Sequence, residues 1–225
     1  MIQAALLALS QAFSPAFRSI LLKTVGLALL FLVVLGVLLW TLATHFIDLQ
    51  NQNFDLAAGV LSGLGIVAGL FFLIPPVVSL VAGFYQDRIA ERVEADHYPA
   101  DVPGRELPTG RSILLAIRFA LLVLVVNVGT LFLLLVPGVN LIVWWIANGY
   151  LLGREYFEFA AMRFLPEDEA KALRSAYTGR VFIGGLMIAA LMAVPILNLT
   201  TPLVASAFMV HVFKRVQKRL PPPRV

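Results

Sequence analysis

The sequence predicts an all-α integral membrane protein with two long transmembrane helices and two helical hairpins. Three observations support this class. Of the 225 residues, 60% are hydrophobic and only 13% are charged, against about 25% charged in ordinary soluble domains. Long apolar runs alternate with short charged segments. Finally, the motifs VPGVNL (136–141) and VPILNL (194–199) each interrupt an apolar run. Proline breaks helices and asparagine favours turns, so each motif predicts a hairpin tip.

We predict a single membrane domain over residues 1–225. Ser14-Pro15 indicates a helix start, because serine caps helix N-termini and proline suits the first helical position. The other boundaries lie where apolar runs give way to charged ones. The predicted segments are an interfacial amphipathic helix at 1–13, membrane spans at 15–46 and 56–84, a cytoplasmic polar segment at 85–112, a first hairpin at 113–153, a cytoplasmic segment at 154–180, a second hairpin at 181–213 and a basic tail at 214–225.

The second span contains two local signals. Its glycines have the small-xxx-small spacing that lets another helix approach closely, and ordinary helix packing is the favoured interpretation. Pro75-Pro76 predicts a kink or a break partway along the helix. The residues from Gln86 to Glu94 keep a helical periodicity, so the span is expected to continue into water as a charged helix. The glycines are Gly59, Gly63, Gly65 and Gly69.

The hairpin segments leave two architectures open. The returning run 141–153 makes roughly 20 Å of helix, and the runs 181–194 and 199–213 make roughly 21 and 22 Å, against a hydrocarbon core of about 30 Å. Either the chain has six spans, or it has two spans and two hemi-penetrating hairpins. The first hairpin can cross if residues 155–164 continue its helix. Backbone that stops inside a bilayer needs burial in protein or a water-filled cavity, so we expect a homo-oligomer.

The distribution of positive charge predicts the orientation. With these segments, all seventeen Lys and Arg residues fall on the side of the N-terminus, and the link at 45–56 carries Asp48 and Asp55 without a Lys or Arg. Cytoplasmic loops of membrane proteins are enriched in Lys and Arg, so both termini are predicted in the cytoplasm. The net charge of +4 is assigned to these loops, and no nucleic-acid partner is predicted.

No catalytic constellation is visible in the sequence. The chain has no cysteine, and it contains neither a P-loop nor a nucleophile elbow. We therefore predict no enzyme activity, no cofactor and no metal. Four residues at the end of the charged helix have side chains that can hold a cation, but a solvated acidic loop is the favoured interpretation. They are Glu94, Asp96, His97 and Asp101.

Polar residues are rare in the apolar runs, and intramembrane polar groups often mark a substrate path. The competing interpretation is that they bond across helices or cap the hairpin tips. The tips are expected to shape the path through Pro137, Asn140, Pro195 and Asn198. Further candidates for lining it are Arg118, Asn127 and Asn148.

Arg18 is the most pointed candidate for a binding residue. It lies in the first turn of the helix that begins at Ser14-Pro15, where free backbone N–H groups and the helix dipole favour an anion. A guanidinium adds charge-assisted bonds suited to oxyanions. We predict an anion site formed by Arg18 with the amides of Ala16 and Phe17. The alternative is that Arg18 anchors the helix to lipid headgroups.

The segment from Gly83 to Glu94, the hairpin tips and the segment from Tyr150 to Arg163 resemble the CysZ-type sulfate permeases and the related etoposide-induced membrane proteins. The resemblance implies two transmembrane helices, two hemi-penetrating hairpins, oligomerisation, and sulfate uptake for cysteine synthesis across the bacterial inner membrane. It also implies an anion site at a Gly-Leu-Arg segment, which corresponds here to Ala16-Phe17-Arg18. The arginine is kept and the glycine and leucine are not.

The predicted function is the passage of sulfate or a similar oxyanion, channel-like or coupled to ions, without intrinsic nucleotide hydrolysis. The alternative is a membrane scaffold or assembly factor with no transported substrate, which would bind partners through its cytoplasmic loops and basic tail.

Overall fold

The computed structural model describes residues 1–12, 14–46, 52–108, 110, 114, 117 and 139–219. The described residues are helical apart from short turns and the loop at 98–108. The helices are α1 (Ile2–Ala12), α2 (Pro15–Phe46), α3 (Gln52–Gly83), α4 (Gln86–His97), α5 (Val139–Met162), α6 (Glu167–Ala176), α7 (Thr178–Met192), α8 (Pro195–Asn198) and α9 (Thr201–Gln217).

The two long helices, α2 and α3, pack against each other. Each has 32 residues, or about 48 Å of helix at 1.5 Å per residue. Small residues set their spacing, because a Cβ atom on Gly36 would lie 2.8 Å from Leu70 and one on Gly63 would lie 3.2 Å from Trp40. Gly65 and Gly69 instead line a groove of about 400 Å³ between the two helices. The predicted glycine seam therefore makes close contact at Gly63 and leaves a groove beside it.

Within the described chain, one unbroken helical stretch of 29 residues, Phe17–His45, is long and apolar enough to cross a membrane. The helices α6 and α7, which are bent against each other, would make a second candidate span if the pair is counted as one. Only 11% of the most apolar window of Phe17–His45 is buried inside the protein. Leucine, valine and phenylalanine side chains therefore stay exposed around much of α2. Such a helix needs lipid or another protein chain around it. The described apolar part of α3, Ala58–Phe71, is shorter.

Two expectations for the second span differ from the structure. The helix α3 runs without a break through Pro75-Pro76 to Gly83. The charged segment is a separate helix, α4, because the chain turns at Phe84-Tyr85, whose N–H groups donate to the carbonyls of Val81 and Ala82. Glycine has a low helix propensity, which favours an end at Gly83. The turn lets α4 bury its apolar face against α9.

The main core lies in a bundle that we call the head, formed by α1, α4, α5, α6, α7, α9 and the loop 98–108. The helix α9 is buried along almost its whole length and contacts α1, α4 and α5. Aromatic residues fill the centre, where the ring of Phe213 lies 6.1 Å from that of Phe157 and 5.2 Å from that of Phe164. The start of α2 joins this core through Phe17.

The helix α5 crosses α7 at glycines. A Cβ atom on Gly185 would overlap the carbonyl of Gly149, and one on Gly153 would overlap the carbonyl of Val181. This crossing is the most extensive helix–helix contact in the described chain. The helix α5 continues through Glu155 to Met162, which extends the returning run of the first hairpin to about 36 Å.

Candidate functional site

Ser14 makes the hydrogen bonds that end α1 and begin α2. Ser14 N–H donates to the carbonyl of Gln11 at 2.8 Å, which ends α1. The Ser14 carbonyl accepts the Arg18 N–H at 3.0 Å, and its Oγ accepts the Phe17 N–H at 3.4 Å. Pro15 follows as the first helical residue. The Ser14-Pro15 pattern thus gives the helix start that the sequence predicts.

Adjacent residues at this start point in opposite directions. The side chain of Phe17 is 1% exposed and packs in the core of the head, whereas Arg18 is exposed. No carboxylate of the described chain lies within ion-pair distance of Arg18. Phe17 therefore fixes the helix end while the guanidinium of Arg18 stays available to a ligand. Because the Phe17 N–H already has an acceptor, Arg18 is the main donor that this start offers.

Of the other predicted site residues, the structure describes some with their side chains, some by their backbone alone and some not at all. Asn148 donates its amide to the Trp144 carbonyl of its own helix at 2.9 Å. Asn198 ends the short α8, and its N–H donates to the Val194 carbonyl at 2.8 Å. Only the backbone is described for Ala16 in α2, Asn140 in α5 and Pro195 in α8. Arg118, Asn127 and Pro137 lie outside the described residues.

Sequence reasoning missed a buried ion-pair cluster in the head, which we call the Arg163 cluster: Arg163, Asp87, Glu94 and Gly104. Arg163 is only 2% exposed. Its Nε donates to Glu94 at 3.0 Å, and its Nη1 donates to Asp87. The second Glu94 oxygen accepts the Gly104 N–H at 2.9 Å. Asp87 and Glu94 are seven residues apart, so they share one face of α4, and that spacing was the available signal.

The loop 98–108 closes over this cluster. Arg105 N–H donates to the Arg163 carbonyl at 2.8 Å. A Cβ atom on Gly104 would lie 3.0 Å from the Arg163 side chain, so a residue without a side chain suits this position. Burial raises the pKa of Asp87 above its usual range, and the positive charge of Arg163 acts in the opposite direction. The charge of Arg163 therefore helps to keep Asp87 ionised.

A second polar network joins α1, α4 and α9. Gln11 bonds the ring of His97 at 3.0 Å and the ring of His211 at 3.2 Å, and His211 bonds the Tyr98 hydroxyl at 2.8 Å. Lys214 is buried, forms an ion pair with Asp101 at 3.2 Å and lies 4.1 Å above the ring of Phe164. Buried polar groups that are all paired make a head rigid and specific.

Each of the four residues considered for a cation site has a different partner. Glu94 bonds Arg163, Asp96 bonds Arg92, Asp101 pairs with Lys214 and His97 bonds Gln11. Within the described chain, no group of three or more His, Cys, Asp or Glu residues has the arrangement of a metal site. Glu94 and Asp101 thus connect elements of the head, whereas Asp96 pairs within α4.

Together, the long apolar helices and the head define the class: an all-helical membrane protein with an exposed arginine at the start of the long apolar helix α2. The chain belongs to the family described as sulfate transporter CysZ/etoposide-induced protein 2.4, whose model matches residues 4–202. This confirms the resemblance identified in the sequence. A comparison with curated proteins gives no match.

Proposed function

We propose that the protein moves sulfate or a similar oxyanion across the bacterial inner membrane, for use in sulfur assimilation and cysteine synthesis. Movement is channel-like or coupled to ions, and the protein hydrolyses no nucleotide. Its family contains sulfate transporters, which is the basis for choosing this substrate class.

The observation that carries the proposal is the exposed guanidinium of Arg18 in the first turn of α2. The family match includes this turn. An arginine at a helix N-terminus combines a full charge with the positive end of the helix dipole, which suits a doubly charged oxyanion. Because Phe17 and Ser14 hold the turn in place, the backbone that carries Arg18 is fixed before an anion binds, and only the side chain has to be ordered.

The proposed function goes with a particular placement of the helices and termini relative to the bilayer. Both termini, α4, α6 and the loop 98–108 lie in the cytoplasm, and α2 and α3 span the bilayer. The hairpin tips at Pro137/Asn140 and Pro195/Asn198 line the path, with Arg118, Asn127 and Asn148. Copies of the chain associate as a homo-oligomer, supported by the large exposed apolar surface of α2 and by the need to cover hairpins that stop within the bilayer.

Sulfate binding to the purified protein tests the site. The variant Arg18→Ala should bind labelled sulfate about tenfold more weakly or worse, because a hydrogen bond to a charged group contributes about 1.5–3 kcal/mol. Arg105→Ala is the matched control, since its side chain is also exposed on the head and only its backbone contacts Arg163. Equal affinity in the Arg18→Ala and Arg105→Ala variants would remove Arg18 from the site.

A further inference from the structure

A small pocket in the head has a strongly cationic rim, and we call it the Arg180 pocket. It has a volume of about 180 Å³ and is lined by Met1, Arg180, Val212, Arg215, Val216 and Arg219. The buried side chains of Val212 and Val216 lie beneath three arginines. A water molecule takes about 30 Å³ in the liquid, so the pocket has room for a small polyatomic anion.

The three arginines lack compensating charge within the described chain. No carboxylate there pairs with Arg180, Arg215 or Arg219. The guanidinium of Arg215 reaches only the neutral amide oxygen of Gln3, at 3.5 Å, and that of Arg180 lies 5.6 Å from the centre of the Tyr177 ring. Arg180, Arg215 and Arg219 line the same small pocket, so their like charges repel one another. An anion between them would relieve this repulsion.

The surface beside the pocket is apolar. The helix α1 packs on α9 through Ala4, Ala8 and Gln11. Its opposite face exposes Ile2 at 73% and Leu6 at 60%, and this face begins next to Met1 at the pocket. An exposed apolar stripe on a surface helix is typical of a helix that lies in the membrane interface. A ligand with both a phosphate and acyl chains would match both features.

We propose that the Arg180 pocket binds the phosphate group of an anionic membrane lipid, with the lipid chains along the exposed face of α1. Basic pockets on the cytoplasmic side of membrane proteins bind anionic headgroups by this chemistry. Arginine suits it, because its planar fork donates two parallel hydrogen bonds to phosphate. The site is separate from Arg18 and does not depend on which anion the protein transports.

The test measures lipid binding to the purified full chain in detergent by native mass spectrometry. The probes are phosphatidylglycerol, phosphatidylcholine and inorganic phosphate. The test variant is Arg180→Gln/Arg219→Gln, which spares the Arg215–Gln3 contact. The control is Arg88→Gln/Arg105→Gln, which removes the same charge from exposed positions of the head outside the pocket. Thermal melting and elution volume show whether each variant is folded.

Each arginine near an anionic headgroup is expected to contribute about fivefold in affinity, so the test variant should bind phosphatidylglycerol roughly thirtyfold more weakly. The control variant should bind like the unmodified protein, and phosphatidylcholine binding should not change. Equal phosphatidylglycerol affinity in the test variant and the unmodified protein would overturn the proposal. If the test variant loses binding of inorganic phosphate but keeps its binding of phosphatidylglycerol, the lipid is ruled out as the ligand and the pocket is a site for free phosphate.

Discussion

Arg163 shows what a single buried charge does in this protein. Its guanidinium donates to Asp87 and Glu94 of α4, and its backbone carbonyl accepts the Arg105 N–H of the loop 98–108. Because the head holds Phe17, and Phe17 precedes Arg18, the cluster also fixes the position of the exposed arginine. A buried ion pair adds little net stability compared with apolar packing, yet removing one partner leaves a costly unpaired charge.

Arg163→Met should therefore destabilise the protein strongly, by about 3–5 kcal/mol. The loss should be larger at pH 8 than at pH 5. Burial already raises the folded-state pKa of Asp87, and without the positive charge of Arg163 that pKa rises further above its unfolded value. The folded form is then favoured at low pH and loses stability as the pH rises through this pKa. Unfolding by heat or denaturant in detergent measures both effects.

Arg92→Met is the matched control for this variant. Arg92 pairs with Asp96 on the same helix at 3.0 Å, but both side chains are exposed. An exposed pair of this kind contributes less than about 1 kcal/mol. A melting temperature for Arg163→Met that equals that of Arg92→Met would contradict the role assigned to the Arg163 cluster.

Sequence reasoning reached Arg18 and missed Arg163 for a physical reason. The start of α2 depends on four consecutive residues, Ser14 to Phe17, whose capping chemistry is local. The partners of Arg163 are 69 and 76 residues away along the chain. The spacing of Asp87 and Glu94 placed both on one face of a helix, but only the tertiary fold shows which cation they meet.

At the scale of helices, the crossing of α5 and α7 is set by glycines. The two backbones come into contact at Gly149, Gly153 and Gly185. The sequence patterns had instead pointed to the glycines of α3 and to Asn148. Small residues at helix interfaces are common in membrane proteins. A glycine pattern alone does not show which of several glycine-bearing helices meet, because all such patterns look alike before the chain folds.

Gly185→Ala should destabilise the protein by about 1–3 kcal/mol, because the new methyl group would meet backbone atoms that cannot move aside. Gly179→Ala is the control on the same helix, where a Cβ atom meets no atom within 4 Å. That change should be neutral or stabilise by up to about 1 kcal/mol through helix propensity. The melting temperature should therefore fall for Gly185→Ala and stay unchanged or rise for Gly179→Ala, and an equal shift in both would contradict the described crossing.

The helix ends show where local signals suffice. The Ser14-Pro15 start and the interruption between α7 and α9 at Pro195 follow from residues that cap or break helices locally. The break at Phe84-Tyr85 was not predicted, because helical periodicity continues from α3 into α4 and the turn is fixed by packing of α4 on α9. Pro75-Pro76 was expected to kink or break the helix, and the break is absent because α3 continues through the pair.

At the scale of the whole molecule, the one-sided distribution of Lys and Arg predicts that α4 and the loop 98–108 lie in the cytoplasm. The chain has no cysteine, so single cysteines can report the side of the membrane. Val102→Cys is a suitable probe because Val102 is 81% exposed in the loop of the head. In intact cells without an outer-membrane barrier, an impermeant maleimide should label it only after permeabilisation.

Asn51→Cys is the matched probe for the link between α2 and α3, which the sequence predicts on the other side of the membrane. It should be labelled in intact cells. Labelling of Val102→Cys before permeabilisation, or protection of Asn51→Cys, would reverse the orientation and place Arg18 on the opposite face.

Uptake of labelled sulfate into proteoliposomes measures directly whether the protein transports an oxyanion and whether Arg18 takes part. We expect uptake by the unmodified protein and by the Arg105→Ala control, and a rate reduced at least about tenfold for folded, correctly inserted Arg18→Ala protein. Equal uptake in Arg18→Ala and the control would contradict the site. The absence of uptake by folded, inserted unmodified protein would contradict sulfate transport itself and favour a scaffold with no transported substrate.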